Sequence, residues 1–267
     1  MTEGQDVPYA VPWADEMHRH YPQKQGVNTM ERTGLIWERW LGVAGIVYVV
    51  LHFLFLTRGS TGPDASVRAV QSAFTHSPTQ EMQAGLLYQV SALVLLLFAV
   101  GIRGYLRRAE GEPNTLSAVV LGAAFAAAVL AFVGSAMLFV LEANVAKLGD
   151  ANLTYSLLLI WWATFFGYTN MLGVMSLAAS GLGLITRMFP RWISWLGIAS
   201  GLALIGGCLA FYPSGAAIEG PADSVAYIGE ILFAVWSVAS GIVILRGDRT
   251  VPTPETARLP AEGVPVR

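Results

Sequence analysis

The sequence predicts an all-α integral membrane protein, a bundle of six transmembrane helices with both termini in the cytoplasm. Three observations predict it. First, 54% of the 267 residues are hydrophobic and only 13% are charged. A soluble domain carries roughly 25% charged residues, so lipid must solvate much of this surface. Second, six apolar runs reach the ~20 helical residues that cross about 30 Å of hydrocarbon. Third, the basic residues alternate from loop to loop as the positive-inside rule requires.

The elements follow in order. Residues 1–35 form a polar tail with no early apolar core, so no cleavable signal peptide is predicted and the first run reads as an uncleaved signal anchor. That run covers 37–57 and the second 84–106. Between them lies the longest outer loop, 58–83, where Ala65–Phe74 predicts a short surface helix with Val67, Val70 and Phe74 on one face. The third run is 116–144. The fourth, 155–186, has no charge between Tyr155 and Thr186. It reads as one long tilted helix, because ~32 residues are too few for two spans and a turn. The fifth and sixth runs are 192–212 and 224–245. None alternates with period two, which excludes a β-barrel. Residues 247–267 carry Pro252, Pro254, Pro260 and Pro265 and read as a disordered tail. The transmembrane domain is therefore 36–246, and no internal repeat is visible in it.

Charge orients the bundle. One set of segments holds Arg19, Lys24, Arg32, Arg39, Arg103, Arg107, Arg108, Arg187, Arg191, Arg246, Arg249, Arg258 and Arg267. The other holds only Arg58, Arg68 and Lys147. The first set is predicted to be cytoplasmic, with both ends of the chain inside. An odd number of spans would break the alternation. Trp37, Trp40, Trp192 and Trp195 are expected at the inner interface, and Tyr155, Trp161, Trp162 and Tyr212 toward the outer one.

Helices in lipid pack through small residues, so stripes of small or polar residues mark the inward faces. They are Gly42, Gly45, Tyr48 and His52 in the first run, and Gly85, Gln89 and Ala92 in the second. The third has Ala128, Ala131, Ser135 and Glu142, and the fourth Ala163, Gly167, Asn170 and Gly181. The fifth has Gly197 and Gly201, with Ala199, Ala203 and Gly207 beside them, and the sixth Ala226, Tyr227, Glu230, Ser237 and Gly241.

An ionisable group at membrane depth costs ~2.5–3.5 kcal/mol on insertion scales, so each asks for a reason. His52, Gln89, Glu142 and Glu230 are expected at a similar level below the outer surface, with Tyr227 on the face of Glu230 and Asn170 deeper. One reading is an outward-facing polar pocket in which Glu142 and Glu230 hold a cation or a proton and His52 pairs with one of them. The plainer reading puts Glu142 among the headgroups beside Lys147 and makes His52 and Glu230 a packing hydrogen bond. In the tail, His18 and His20 with Asp15 and Glu16 have metal-binding residue types, although chance histidines in a disordered tail account for them better.

Other chemistry lacks its signature. Cys208 is the only cysteine, which excludes an internal disulfide and a cysteine metal cluster. With one intramembrane histidine there is no bis-histidine haem site, and no intramembrane lysine could carry retinal. No Walker A, zincin or nucleophile-elbow motif occurs, so no enzyme activity and no cofactor are expected. Net charge of −2 gives no basic excess for nucleic acid. Expected partners are membrane lipids, a second copy, or another membrane protein.

The segment Trp40-Leu-Gly-Val-Ala-Gly-Ile-Val-Tyr48, followed by Ala84-Gly-Leu-Leu-Tyr88, Leu95-Leu-Leu-Phe-Ala99 and the arginines before Glu110, resembles a family of actinobacterial membrane proteins classed as a domain of unknown function. The likeness covers 36–246 and lies in the hydrophobic pattern. It implies about six helices and no activity, cofactor or site. Two functions stay open: transport of a small ligand or of protons through the polar pocket, and a structural or regulatory subunit that binds another membrane protein. An intramembrane enzyme has least support.

Overall fold

The computed structural model describes residues 25–58, 66–76, 78–141, 149–214 and 221–247. Glu142, the tail histidines and the proline-rich C-terminus lie outside them. Among the described residues every regular element is a helix and there is no strand. The helices are α1 (Gln25–Leu56), α2 (Val67–His76), α3 (Pro78–Glu110), α4 (Thr115–Val140), α5 (Ala151–Thr186), α6 (Arg191–Ser214) and α7 (Pro221–Arg246). The compact unit that contains the bundle spans Glu38–Arg267.

Five stretches are long and apolar enough to cross a membrane: Arg39–Leu56 in α1, Thr79–Glu110 in α3, Thr115–Val140 in α4, Ala151–Thr186 in α5 and Val225–Arg246 in α7. The fourth run is one uninterrupted helix of 36 residues. The helix α6, Arg191–Ser214, is as long as a span requires at 24 residues.

Local chemistry sets the helix ends. The Asp150 carboxylate accepts from the backbone amides of Asn152 and Leu153, both at 3.0 Å, and so starts α5. Asn114 precedes α4 in the left-handed region (φ 57°) and makes no side-chain cap. Glu110 does that work from the end of α3: its two carboxylate oxygens accept from Leu116 N at 2.6 Å and Ser117 N at 3.0 Å. Backbone donors that α4 would otherwise leave orphaned are thereby satisfied. Arg187 (φ 57°) ends α5, and four residues later α6 begins.

Neighbours in sequence are neighbours in space, α3 with α4, α4 with α5, α5 with α6 and α6 with α7. The helix α5 is central: α2, α3, α4, α6 and α7 all pack on it. On its α1 side, Tyr168 meets Tyr48. The helix α1 lies close to both α7 and α3. A Cβ on Gly42 would stand 2.6 Å from the Gly241 carbonyl oxygen, and one on Gly101 2.6 Å from the Leu41 Cβ.

The helix ends gather accordingly. Tyr105, near the end of α3, donates to the Met188 carbonyl just past α5 at 3.1 Å. Gly247, just past α7, abuts the Arg39 guanidinium near the start of the membrane part of α1. With the Gly101–Leu41 contact, these bring the arginine-rich ends of α1, α3, α5 and α7 to one end of the bundle. Trp40, Trp192 and Trp195 are exposed near that end, and Trp37 is exposed as well.

Several expectations need correction. The inward face of α5 is not the stripe Ala163, Gly167, Asn170 and Gly181. Ala163 is exposed, Gly167, Asn170 and Gly181 are half-buried, and a Cβ on Gly181 would meet nothing within 4 Å. The buried face instead carries Trp161, Phe165, Tyr168, Leu172 and Met175. Neighbours on so many sides cover large aromatic residues, so residue size does not mark the interior of a central helix. Trp161 is accordingly core rather than interfacial. Tyr227 is 56% exposed and does not join Glu230 inside. The short outer helix exists as α2, but Val70 and Phe74 are buried in the bundle core, with α5 as the main neighbour.

Candidate functional site

The helix α1 carries Tyr48 and His52 one turn apart, on the face that holds Gly42 and Gly45. All four are buried. The helix α7 brings Glu230 opposite them, also buried. The His52 Nε2 and Glu230 Oε2 atoms are 4.0 Å apart. That is an ion-pair distance but too long for a hydrogen bond. Neither ring nitrogen of His52 has a hydrogen-bond partner, and neither does Glu230 Oε2.

The surroundings are aromatic. His52 stacks on Tyr48, with ring centroids 5.4 Å apart, and lies 6.0 Å from the Tyr168 ring. The Tyr48 and Tyr168 hydroxyls are hydrogen-bonded at 2.8 Å. Tyr88 completes the group from α3, edge-on to Tyr168 at 5.1 Å, with its buried hydroxyl unpartnered. Phe233 stands edge-on to Tyr48. Four helices thus place His52, Glu230, Tyr48, Tyr168 and Tyr88 around one point in an otherwise apolar core.

Beside the pair lies a cavity whose lining includes Tyr48, His52, Leu172, Glu230 and Phe233. Its volume, measured by where the centre of a water molecule fits, is about 10 Å³. That is about the least space that admits one water. The cavity is too small for an organic cation.

Among the residues singled out in the sequence, His52 and Glu230 come together. Gln89 is half-buried and does not line the cavity; the fully buried residue at that turn of α3 is its neighbour Tyr88. Asn170 is half-buried on α5, with its side-chain oxygen unpartnered. Tyr227 faces outward, and Glu142 lies outside the described residues. Tyr88 and Tyr168 were not picked out by the sequence. The only signal for Tyr168 is its place in the aromatic stripe Trp161, Phe165, Tyr168 at helical spacing. Among the described residues no group of three His, Cys, Asp or Glu side chains could hold a metal ion.

Fold and site define a class. Five long apolar helices around a buried polar cluster are the architecture of a multi-pass helical membrane protein. Comparison of the chain with protein-family models, with curated proteins and with solved structures finds no match.

Proposed function

We propose that the chain is a six-span protein of a bacterial plasma membrane, with both termini cytoplasmic, and that the His52–Glu230 pair is a proton-binding site coupled to transport. The observation that carries this reading is the pair itself: two ionisable side chains from different helices, buried, 4.0 Å apart and short of hydrogen bonds. Intramembrane ionisable residues of this kind mark proton relays and ion pathways.

The balance of charge favours a proton as the ligand. With one proton between them, the imidazole and the carboxyl sum to zero charge, as an ion pair or as two neutral groups. Removing that proton, or adding a second, leaves a net charge in a medium where charge is costly. Gain or loss of one proton therefore changes how α1 and α7 attract each other. A cavity of about 10 Å³ admits a water that could bridge a 4.0 Å gap, and nothing larger.

Six crossings have two supports. The α6 helix has 24 residues and so is ~36 Å long, more than the ~30 Å of hydrocarbon. It begins at Arg191, beside the arginine-rich end, and a Cβ on its Gly207 would meet Ala226 in the first turns of α7, far from that end.

The test is Glu230→Gln, which keeps the shape and removes the ionisable group. In purified protein, infrared difference spectra between acid and alkaline pH should lose one carboxyl signal, with thermal stability in detergent nearly unchanged. An unchanged infrared spectrum would sink the proton site. A second reading, a structural subunit, draws on the closed cavity and the tight α1–α7 contact. It would be favoured if Glu230→Gln lost stability without losing a titrating carboxyl signal.

A further inference from the structure

At the end of the bundle opposite the arginine-rich one, a groove of about 380 Å³ lies between α1 and α3 on the outside of the molecule. Its lining is Leu54, Leu87, Leu86 and Val90, with Gln83 and Arg58 at one end. Gln83, Leu86, Leu87 and Val90 recur at the spacing of one helix face. Leu54, Leu86 and Val90 are each nearly half exposed, and both helices contain apolar stretches long enough to cross a membrane. The groove does not touch His52 or Glu230 and is independent of the proton site.

Arg58 is held in place by the start of α3. Its carbonyl accepts from the Gln80 side chain at 2.9 Å, and one guanidinium nitrogen donates to the Gln83 side-chain oxygen at 2.9 Å. Its backbone amide donates to the Phe55 carbonyl at 2.9 Å. One of the guanidinium's five N–H donors is therefore used, and no carboxylate pairs with it among the described residues. The result is a fixed cation, exposed where the helices leave the apolar layer, at the head of an apolar trough.

We propose that this groove is a binding site for one glycerophospholipid. An acyl chain lies along Leu54, Leu86, Leu87 and Val90, and the headgroup phosphate takes the free donors of Arg58. Charge complementarity selects the occupant. A planar guanidinium fork matches a phosphate oxygen pair, and a hydrocarbon chain matches a lining with almost no polar surface. The volume falls within the roughly 300–1,000 Å³ of small-molecule sites.

The experiment is native mass spectrometry of the full chain in detergent, titrated with dioleoyl phosphatidylglycerol and, separately, with dioleoylglycerol, which has the same chains and no phosphate. The proposal expects one phosphatidylglycerol bound in preference to dioleoylglycerol. Arg58→Gln should weaken that binding about tenfold, the scale of one charge-assisted contact. Leu86→Trp, which fills the groove from an exposed position, should abolish it while the melting temperature stays unchanged. Equal retention of dioleoylglycerol would overturn the phosphate contact. Unaltered phosphatidylglycerol binding in both variants would overturn the site. A dimer that Leu86→Trp dissociates would show that a second copy covers the groove, and would overturn the lipid assignment.

Discussion

Tyr48 and Tyr168 show what a single buried hydrogen bond does in this core. Each hydroxyl has the other as its partner at 2.8 Å, and both rings are almost fully buried. Tyr168→Phe would leave the Tyr48 hydroxyl buried with no partner, and such a group costs about 1–3 kcal/mol. Its melting temperature in detergent should fall measurably. The double variant Tyr48→Phe, Tyr168→Phe removes both hydroxyls and should recover most of the loss, because no orphan remains. A double variant as unstable as the sum of the singles would mean that the hydroxyls act through other contacts. At this scale the sequence is legible only where a residue is out of place. His52 and Glu230 stand out because charge is rare in an apolar run. Tyr168 and Tyr88 do not, since tyrosine is an ordinary residue of membrane helices, and only the fold reveals that two hydroxyls meet.

At the scale of elements, glycine marks the crossing of α1 with α7. A Cβ on Gly42 would meet the Gly241 carbonyl oxygen at 2.6 Å, and one on Gly45 the Ser237 carbonyl oxygen at 2.9 Å. These obstacles are backbone, so they cannot swing aside. Gly42→Ala should therefore push α1 from α7, widen the gap between His52 and Glu230 and lower the melting temperature. Gly206→Ala is the control. A Cβ there meets nothing within 4 Å, and helix propensity favours alanine by up to about 1 kcal/mol, so stability should hold or rise slightly. Equal effects of the two substitutions would show that the close approach is not what these glycines provide. The first-run stripe Gly42, Gly45, Tyr48 and His52 was readable because α1 presents a single narrow face to its neighbours. The α5 stripe was misread because that helix is surrounded and its buried face is aromatic.

For the whole molecule, the open question is the parity of crossings. The arginine-rich ends of α1, α3, α5 and α7 lie together, so α1 runs away from that end, α3, α5 and α7 run toward it, and α4 and α6 return between them. If α6 crosses, the chain makes six passes and both termini face the same compartment. If α6 lay short of a full crossing, against this arrangement, five passes would leave the termini on opposite sides. Glycines and serines in the run let it approach α5 and α7 closely. A Cβ on Gly201 would stand 2.7 Å from the Gly173 carbonyl oxygen, and Ser200 donates to the Gly229 carbonyl at 3.1 Å. Polarity turned inward in this way does not face lipid, so it should not prevent insertion. Fusion of a green fluorescent protein, which matures only in the cytoplasm, to each terminus in turn settles the parity. Six spans predict fluorescence from both fusions. A dark C-terminal fusion whose periplasmic alkaline phosphatase counterpart is active would reduce the count to five. It would also reverse α7 in the membrane and move Glu230 to a level that His52, held by α1, could not share, leaving the pair without a common depth from which to exchange a proton.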